Sequence, residues 1–177
     1  MKATLALLSG VFFAAQAAAP DISSLGPLAE YPVAWGKPVN GLRVGIWSKK
    51  TEVDVGPIPE ETYFHIENVG TTNIAYIIQS ATHCVLSVNG KLYAAEDYGG
   101  KTSAMPPGRH YGPISIRPER KHEIGKLRDQ QISKLLDRWA FDKGSPPSLA
   151  KGTNTLSVFY QVGSNFVQSA EIHIVAK

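Results

Sequence analysis

The chain has 177 residues, with 18 lysines and arginines against 15 aspartates and glutamates, and a net charge of +3. This charge is too small to indicate nucleic-acid binding or strong attraction to anionic lipid. With Cys84 as the single cysteine, the chain excludes an internal disulfide and the usual Cys-x-x-Cys zinc motif, so its stability must come from packing.

The first residues have the pattern of a secretory signal peptide. Lys2 precedes an apolar run over residues 3–15 and a small-residue segment over residues 16–20. We predict a signal peptide over residues 1–17. The apolar run is too short to span a bilayer comfortably, and no later segment is apolar enough to do so. The sequence therefore predicts a secreted or periplasmic protein that is not inserted in a membrane once the signal is removed.

Cleavage at this position leaves about 160 residues, which suits one domain with a sizeable core. Residues 18–40 are rich in proline, glycine and serine, and we predict a lead-in segment there. We predict that the domain covers residues 41–177. From Gly41 onward, apolar side chains alternate with others, which is typical of a half-buried strand. The side chains predicted to face the core in this first strand are Leu42, Val44 and Ile46.

Seven further segments have the composition of short strands, and turn signals separate them. The clearest signal is Asn89–Gly90 between two apolar runs, because both residues accept the positive φ angles of a type I′ hairpin turn. Strands at this spacing, with no recurring helices between them, predict an all-β fold. We expect an antiparallel β-sandwich of about 7–8 strands.

One helix is predicted to interrupt the strands. We place a helical insert at residues 120–143, with the helix itself near residues 126–140. Its apolar residues recur at helical spacing, which forms one stripe for docking. We predict that the stripe packs on its own domain rather than on a partner. The residues of the stripe are Ile132, Leu135, Leu136 and Trp139.

The histidines and the cysteine raise the possibility of a metal site. Cys84 alternates in phase with apolar neighbours, which predicts a buried, inert thiol. The next Met and His, Met105 and His110, lie farther from it than in the compact loop of a copper protein. His65 and His173 have the alternation of solvent-facing strand residues. The sequence predicts no metal, no cofactor and no catalytic residue, and a small copper-type carrier or an enzyme using histidines and Cys84 is the alternative.

The segment "MPPGRHYGPISI", residues 105–116, contains the most distinctive candidate for a binding surface. Arg109, His110 and Tyr111 follow a bend formed by Pro107 and Gly108. We favour a structural role, in which the three side chains fill and brace the turn, over a ligand role. A basic cluster follows, which predicts a solvated charged face, with an anion-binding patch as the alternative. The basic residues are Arg117, Arg120, Lys121, His122, Lys126 and Arg128.

Four segments together resemble an uncharacterised secreted immunoglobulin-like domain of planctomycete-type bacteria. In chain order they are "WGKPVNGLRVGI" (35–46), "CVLSVNGKLY" (84–93), "SAMPPGRHYGPISI" (103–116) and "VGSNFVQSAEIHIV" (162–175). The shared features are structural turns and strand starts rather than chemistry. The residues that carry them here are Trp35, Gly41, Asn89, Gly90, Pro107 and Gly108.

This resemblance implies an immunoglobulin-like sandwich without catalytic residues. Domains of that family often stand outside the membrane, attached to metallopeptidases of the β-lactam-sensor type or to other sensor proteins. The chain departs from the pattern in its helical insert and in having no attached membrane or peptidase segment. We therefore expect a non-enzymatic exported module that binds a protein or a component of the cell envelope.

Overall fold

A computed structural model describes residues 32–78, 84–95, 101–124, 145–162 and 165–177. The signal peptide predicted at residues 1–17 and the helix predicted near residues 126–140, with Trp139, lie outside the described residues. Within the described ranges, no helix is long and apolar enough to cross a membrane.

The regular elements of the described residues are strands, without an α-helix, so the predicted all-β class is confirmed. A single 3-10 turn at Pro118–Arg120 breaks the pattern in these ranges. The strands are β1 (Ala34–Trp35), β2 (Leu42–Ser48), β3 (Glu52–Val53), β4 (Gly56–Pro57), β5 (Thr62–Asn68), β6 (Ile74–Ile78), β7 (Cys84–Val88), β8 (Lys91–Ala95), β9 (Lys101–Met105), β10 (His110–Ser115), β11 (Lys121–Ile124), β12 (Ser148–Leu149), β13 (Gly152–Val162), β14 (Asn165–Gln168) and β15 (Ile172–Ala176).

The strands pair mainly in antiparallel fashion, in two large sheets and two small ones. The four-stranded sheet has the order β1-β2-β5-β10, and the larger sheet has the order β11-β8-β7-β13-β15-β3, with β14 also paired to β13. The pair of β15 with β3 is parallel. Short two-stranded sheets join β4 to β12 and β6 to β9. Because β1 pairs with β2, the four-stranded sheet already begins within the predicted lead-in segment.

Both large sheets contribute side chains to one hydrophobic core. Leu42, Val44 and Ile46 are buried on the four-stranded sheet, as the alternation of β2 predicts. They share this core with Leu86 of β7 and Val158 of β13, which are fully buried on the larger sheet. Each of the two sheets thus buries an apolar face in this shared core.

The hairpin predicted at Asn89–Gly90 is confirmed. The two residues have φ angles of 51° and 79°, and Val88 pairs with Lys91 directly across the turn. The Asn89 side chain also ties the hairpin to β13, because its Oδ1 accepts a hydrogen bond from the Thr155 N–H at 2.9 Å. Cys84, at the start of β7, is buried in the core as predicted.

Apolar alternation predicts one strand over residues 166–176, and the structure divides this segment into two strands. Both of its parts, β14 and β15, pair with the long strand β13. The interruption lies at Ser169, whose Oγ accepts a hydrogen bond from the Val158 N–H at 3.0 Å and donates one to the Ala170 carbonyl at 2.7 Å. The Ser169 hydroxyl thus takes the place of a backbone group in the hydrogen-bond ladder with β13. This exchange of partners does not alter the alternation of apolar residues that predicts the strand.

Candidate functional site

The bend predicted around Pro107 and Gly108 connects β9 to β10. Gly108 has a φ of 70°, and its N–H donates to the Asn68 carbonyl at 2.8 Å. The Asn68 N–H in turn donates to the Arg109 carbonyl at 2.9 Å. The turn is therefore fastened by its backbone to the end of β5, which fixes where β10 begins.

The Asn68 side chain, which was not among the predicted site residues, completes this attachment. Its Nδ2 donates to the carbonyls of Thr72 and Met105 at 2.8 and 2.7 Å, while its Oδ1 accepts the Gly70 N–H at 2.9 Å. Asn68 is fully buried. A polar residue ending an apolar strand, just before a glycine turn, is the sequence signal for such a brace.

The three candidate residues after the bend do not converge on one site. Arg109 is exposed, whereas His110 is half-buried and lies opposite Glu67 of β5. Tyr111 packs against the core, with its ring centroid 5.4 Å from that of Tyr76. Successive strand residues point to opposite faces, so His110 and Tyr111 are separated by the sheet itself.

His110 belongs to a group of charged and aromatic side chains on the face of the four-stranded sheet that is turned away from the core. We call this group the outer-face cluster, and it consists of Trp35, Arg43, His65, Glu67 and His110. The Arg43 guanidinium lies 4.5 Å from the Trp35 ring centroid, and its Nη2 is 2.5 Å from Glu67 Oε2. Stacking and ion pairing hold the guanidinium in one orientation.

The prediction that His65 faces solvent is wrong, because only 1% of its surface is exposed. Trp35 covers it in an edge-on arrangement with ring centroids 6.1 Å apart. Its neighbours on β2 and β10 include two glycines, Gly45 and Gly112. A Cβ at Gly45 would lie 2.3 Å from Val33 Cγ1, and one at Gly112 would lie 2.6 Å from His65 Nδ1. The imidazole thus occupies the space that a side chain at residue 112 would need, while Val33 and Trp35 occupy the space beside Gly45.

Burial controls the protonation of both histidines in the cluster. It lowers the pKa of His65 to about 4, and the nearby His110 acts in the same direction. Burial also lowers the pKa of His110, against the opposing effect of Glu67. Both imidazoles are therefore mainly neutral at pH 7. The permanent charges of the cluster are those of Arg43 and Glu67, with Arg109 next to it in the chain.

The basic cluster at residues 117–128 is not one solvated face. Arg117 and Arg120 are exposed, but Lys121 is fully buried, so the prediction for Lys121 is wrong. Its Nζ donates to the Cys84 carbonyl at 2.6 Å across the larger sheet. Lys121–Ile124 forms strand β11 against β8, so the first part of the predicted insert is extended. Lys126 and Arg128 lie outside the described residues.

Cys84 has the environment of a packing residue. Burial raises the pKa of its thiol, and Lys121 only partly offsets this effect. A metal-binding or nucleophilic cysteine works as a thiolate, which a raised pKa disfavours. In the parts of the chain that the structure describes, no group of three or more His, Cys, Asp or Glu residues is placed to hold a metal ion.

Comparison with known proteins gives no match. No family model fits the chain, and neither a curated protein nor a solved structure is significantly similar to it. The function must therefore be argued from the geometry described above.

Proposed function

We propose that this chain is an exported, non-enzymatic binding module with an immunoglobulin-like β-sandwich fold. We propose further that it binds a protein or another component of the cell envelope through the outer-face cluster and the adjacent Arg109. Export rests on the signal-peptide pattern of residues 1–17.

The order of the strands supports the immunoglobulin-like fold. An immunoglobulin domain places its strands A, B and E side by side in one sheet and its strands C′, C, F and G in the other. Here β2, β5 and β10 are neighbours in one sheet, and β8, β7, β13 and β15 follow each other in the second. These strands also occur along the chain in the order A, B, C, C′, E, F and G. The chain thus crosses from one sheet to the other between B and C, between C′ and E, and between E and F, as it does in that fold.

The observation that carries the binding proposal is the orientation of Arg43 between Trp35 and Glu67. The Arg43 side chain is 33% exposed and that of Glu67 is 15% exposed, so the pair reaches the surface. Stacking on Trp35 fixes the orientation of the guanidinium at the same time. Trp and Arg are the residues most enriched where binding energy concentrates. A side chain that is already oriented loses less conformational entropy on binding than a flexible one.

The test compares the parent protein with a variant that alters this surface and keeps the fold. We combine Arg43→Lys, which retains the ion pair but loses the planar fork, with Arg109→Ala and His110→Ala. Each protein is immobilised and exposed to solubilised envelope from its native cells, and retained components are quantified by mass spectrometry. We expect the variant to retain at least one component about tenfold less than the parent protein does, because a few central residues supply most of the binding energy of an interface.

Lys151→Ala is the matched control, because Lys151 is exposed and lies outside the cluster. It should retain the same components as the parent protein. Urea unfolding of all three proteins establishes that the variant is folded under the binding conditions. If every retained component is held equally by the parent and the surface variant, the outer-face cluster only stabilises the sheet and the proposal is wrong.

A small metal carrier is the rival from another class, and a direct titration separates the two. The buried, protonated thiol of Cys84 predicts no site tighter than micromolar for Cu(I), Cu(II) or Zn(II) by calorimetry. A stoichiometric nanomolar site would contradict the binding-module proposal.

A further inference from the structure

A groove of about 720 Å³ lies beside the short sheet of β4 and β12, and it shares no residue with the outer-face cluster. Three segments of the chain form its walls, at residues 50–60, 118–119 and 146–148. Its volume is within the range of ligand-binding clefts, and it is too large for a single side chain. The groove is therefore large enough for a ligand, and it is separate from the surface proposed above.

The walls are rich in proline, which reduces the number of backbone N–H donors. Among the described residues, five prolines line the groove, and proline has a fixed φ and no N–H group. The acceptors at the groove include the carboxylates of Asp54, Glu60 and Glu119, whereas the Pro118 carbonyl already accepts the Lys121 N–H. The Val55 N–H is used within the fold, since it donates to the Lys177 carbonyl at 3.4 Å. The five prolines are Pro57, Pro59, Pro118, Pro146 and Pro147.

The charged residues at the groove have an acidic excess. Asp54, Glu60 and Glu119 are exposed, and in the described part of the chain no ion pair joins any of them. Lys50 is the basic residue there, and its Nζ lies 3.4 Å from Glu61 Oε2, outside the lining. Hydrogen bonds from Lys49 and Lys50 lower the pKa of Glu61, so this carboxylate offsets the lysine charge.

An apolar, acceptor-rich and acidic groove selects a ligand with apolar parts and a cationic donor group. We propose that the groove binds an extended segment of a partner protein in which an arginine or lysine lies between apolar residues. The basic side chain donates to the carboxylates at the rim, and the apolar neighbours cover the proline faces. An acidic segment would meet like charge and few donors, which excludes it.

The probe is a short capped peptide with one arginine between leucines, labelled for fluorescence anisotropy with the purified full chain. A matched peptide carries citrulline, which keeps the shape but removes the charge. The protein variant combines Asp54→Asn, Glu60→Gln and Glu119→Gln, and Glu171→Gln is the control at an exposed acid outside the groove. We expect saturable binding of the arginine peptide, weakened about tenfold by citrulline or by the triple variant and unchanged by the control.

Equal affinity for the two peptides, or full affinity in the triple variant, would overturn the proposal. So would a lack of saturable binding by the parent protein. Sedimentation of the protein alone tests a different occupant. If the parent is a dimer that the triple variant dissociates, the groove receives a second copy of the chain, and the proposed peptide site is wrong. Thermal unfolding of each variant shows that it is folded.

Discussion

At the residue scale, two ionisable side chains occupy places where local patterns predict solvent. His65 follows the alternation of a half-exposed strand, and Lys121 stands in a basic run, yet both are buried. In each case distant parts of the chain provide the cover or the partner. Trp35 packs on His65, and the Cys84 carbonyl accepts the hydrogen bond of Lys121 from 37 positions away. A buried ammonium requires a hydrogen-bond partner of this kind, whereas the His65 imidazole is buried in its neutral form.

The contact of Lys121 with Cys84 predicts how the thiol reacts. Native protein should be labelled by DTNB only slowly, because Cys84 is buried and its pKa is raised. Lys121→Ala leaves a cavity and removes the donor to the Cys84 carbonyl, which should lower the free energy of unfolding by about 2 to 5 kcal/mol. DTNB reaches a buried Cys84 only when the fold opens, and opening is more frequent in a less stable protein. Labelling of Cys84 should therefore become at least about tenfold faster in this variant.

Lys151→Ala, at an exposed position, should leave the labelling rate unchanged. Denatured protein should react completely and at once. Rapid labelling of the native parent protein would show that Cys84 is accessible and that the predicted role of Lys121 is wrong.

At the element scale, the connection from β9 to β10 shows how one side chain organises a turn. The Pro106–Gly108 bend has its own local signals, but the Asn68 side chain determines its position against β5 and the neighbouring loop. The same turn places His110 and Tyr111 on opposite faces of the sheet. A shift of one residue in the register would exchange them, so the brace also protects the outer-face cluster.

We expect Asn68→Ala to lower the free energy of unfolding by about 2 to 4 kcal/mol, because it leaves buried backbone groups without their partner. Urea unfolding at pH 7 measures the change. Asn73→Ala is the matched control, since Asn73 is exposed beside the same loop, and it should cost less than about 0.5 kcal/mol. Equal stabilities of the two variants would show that the hydrogen bonds of Asn68 contribute little.

At the scale of the whole molecule, the low pKa of His65 couples stability to pH. The ordinary pKa of histidine is 6.5, and in the folded protein that of His65 is about 4. Between these values the unfolded chain binds a proton that the folded chain does not. Stability is therefore complete above about pH 6.5 and decreases as the pH falls toward 4. The lowered pKa of His110 acts in the same direction.

Urea unfolding at several values between about pH 7.5 and about pH 4.5 checks this dependence, because this range covers most of the interval between the two pKa values. The parent protein should lose stability steadily below about pH 6.5. His65→Gln should be less stable at pH 7 but should depend less on pH, because the titrating group is absent. His173→Gln, at an exposed strand position, should follow the parent curve. Parallel curves for the parent and His65→Gln would contradict the burial argument.

The sequence by itself determined the features that depend on neighbours along the chain. Apolar alternation predicted the strands and the core positions of β2, because a strand places every second side chain on one face. Asn89–Gly90 predicted its hairpin because both residues tolerate positive φ. Alternation also explains why His110 and Tyr111 lie on opposite faces of the sheet, although they are adjacent in sequence and were predicted to form one candidate surface with Arg109.

The tertiary structure decided which strands are neighbours and what covers each face. The parallel pair of β3 with β15 and the strands β9 and β11 have no strong local signal, since their pairing partners come from elsewhere in the chain. The outer-face cluster joins residues from β1, β2, β5 and β10. The proline-lined groove joins three distant segments in the same way. Side-chain burial and ion pairing depend on distance in space, and only the folded chain brings these residues within contact of each other.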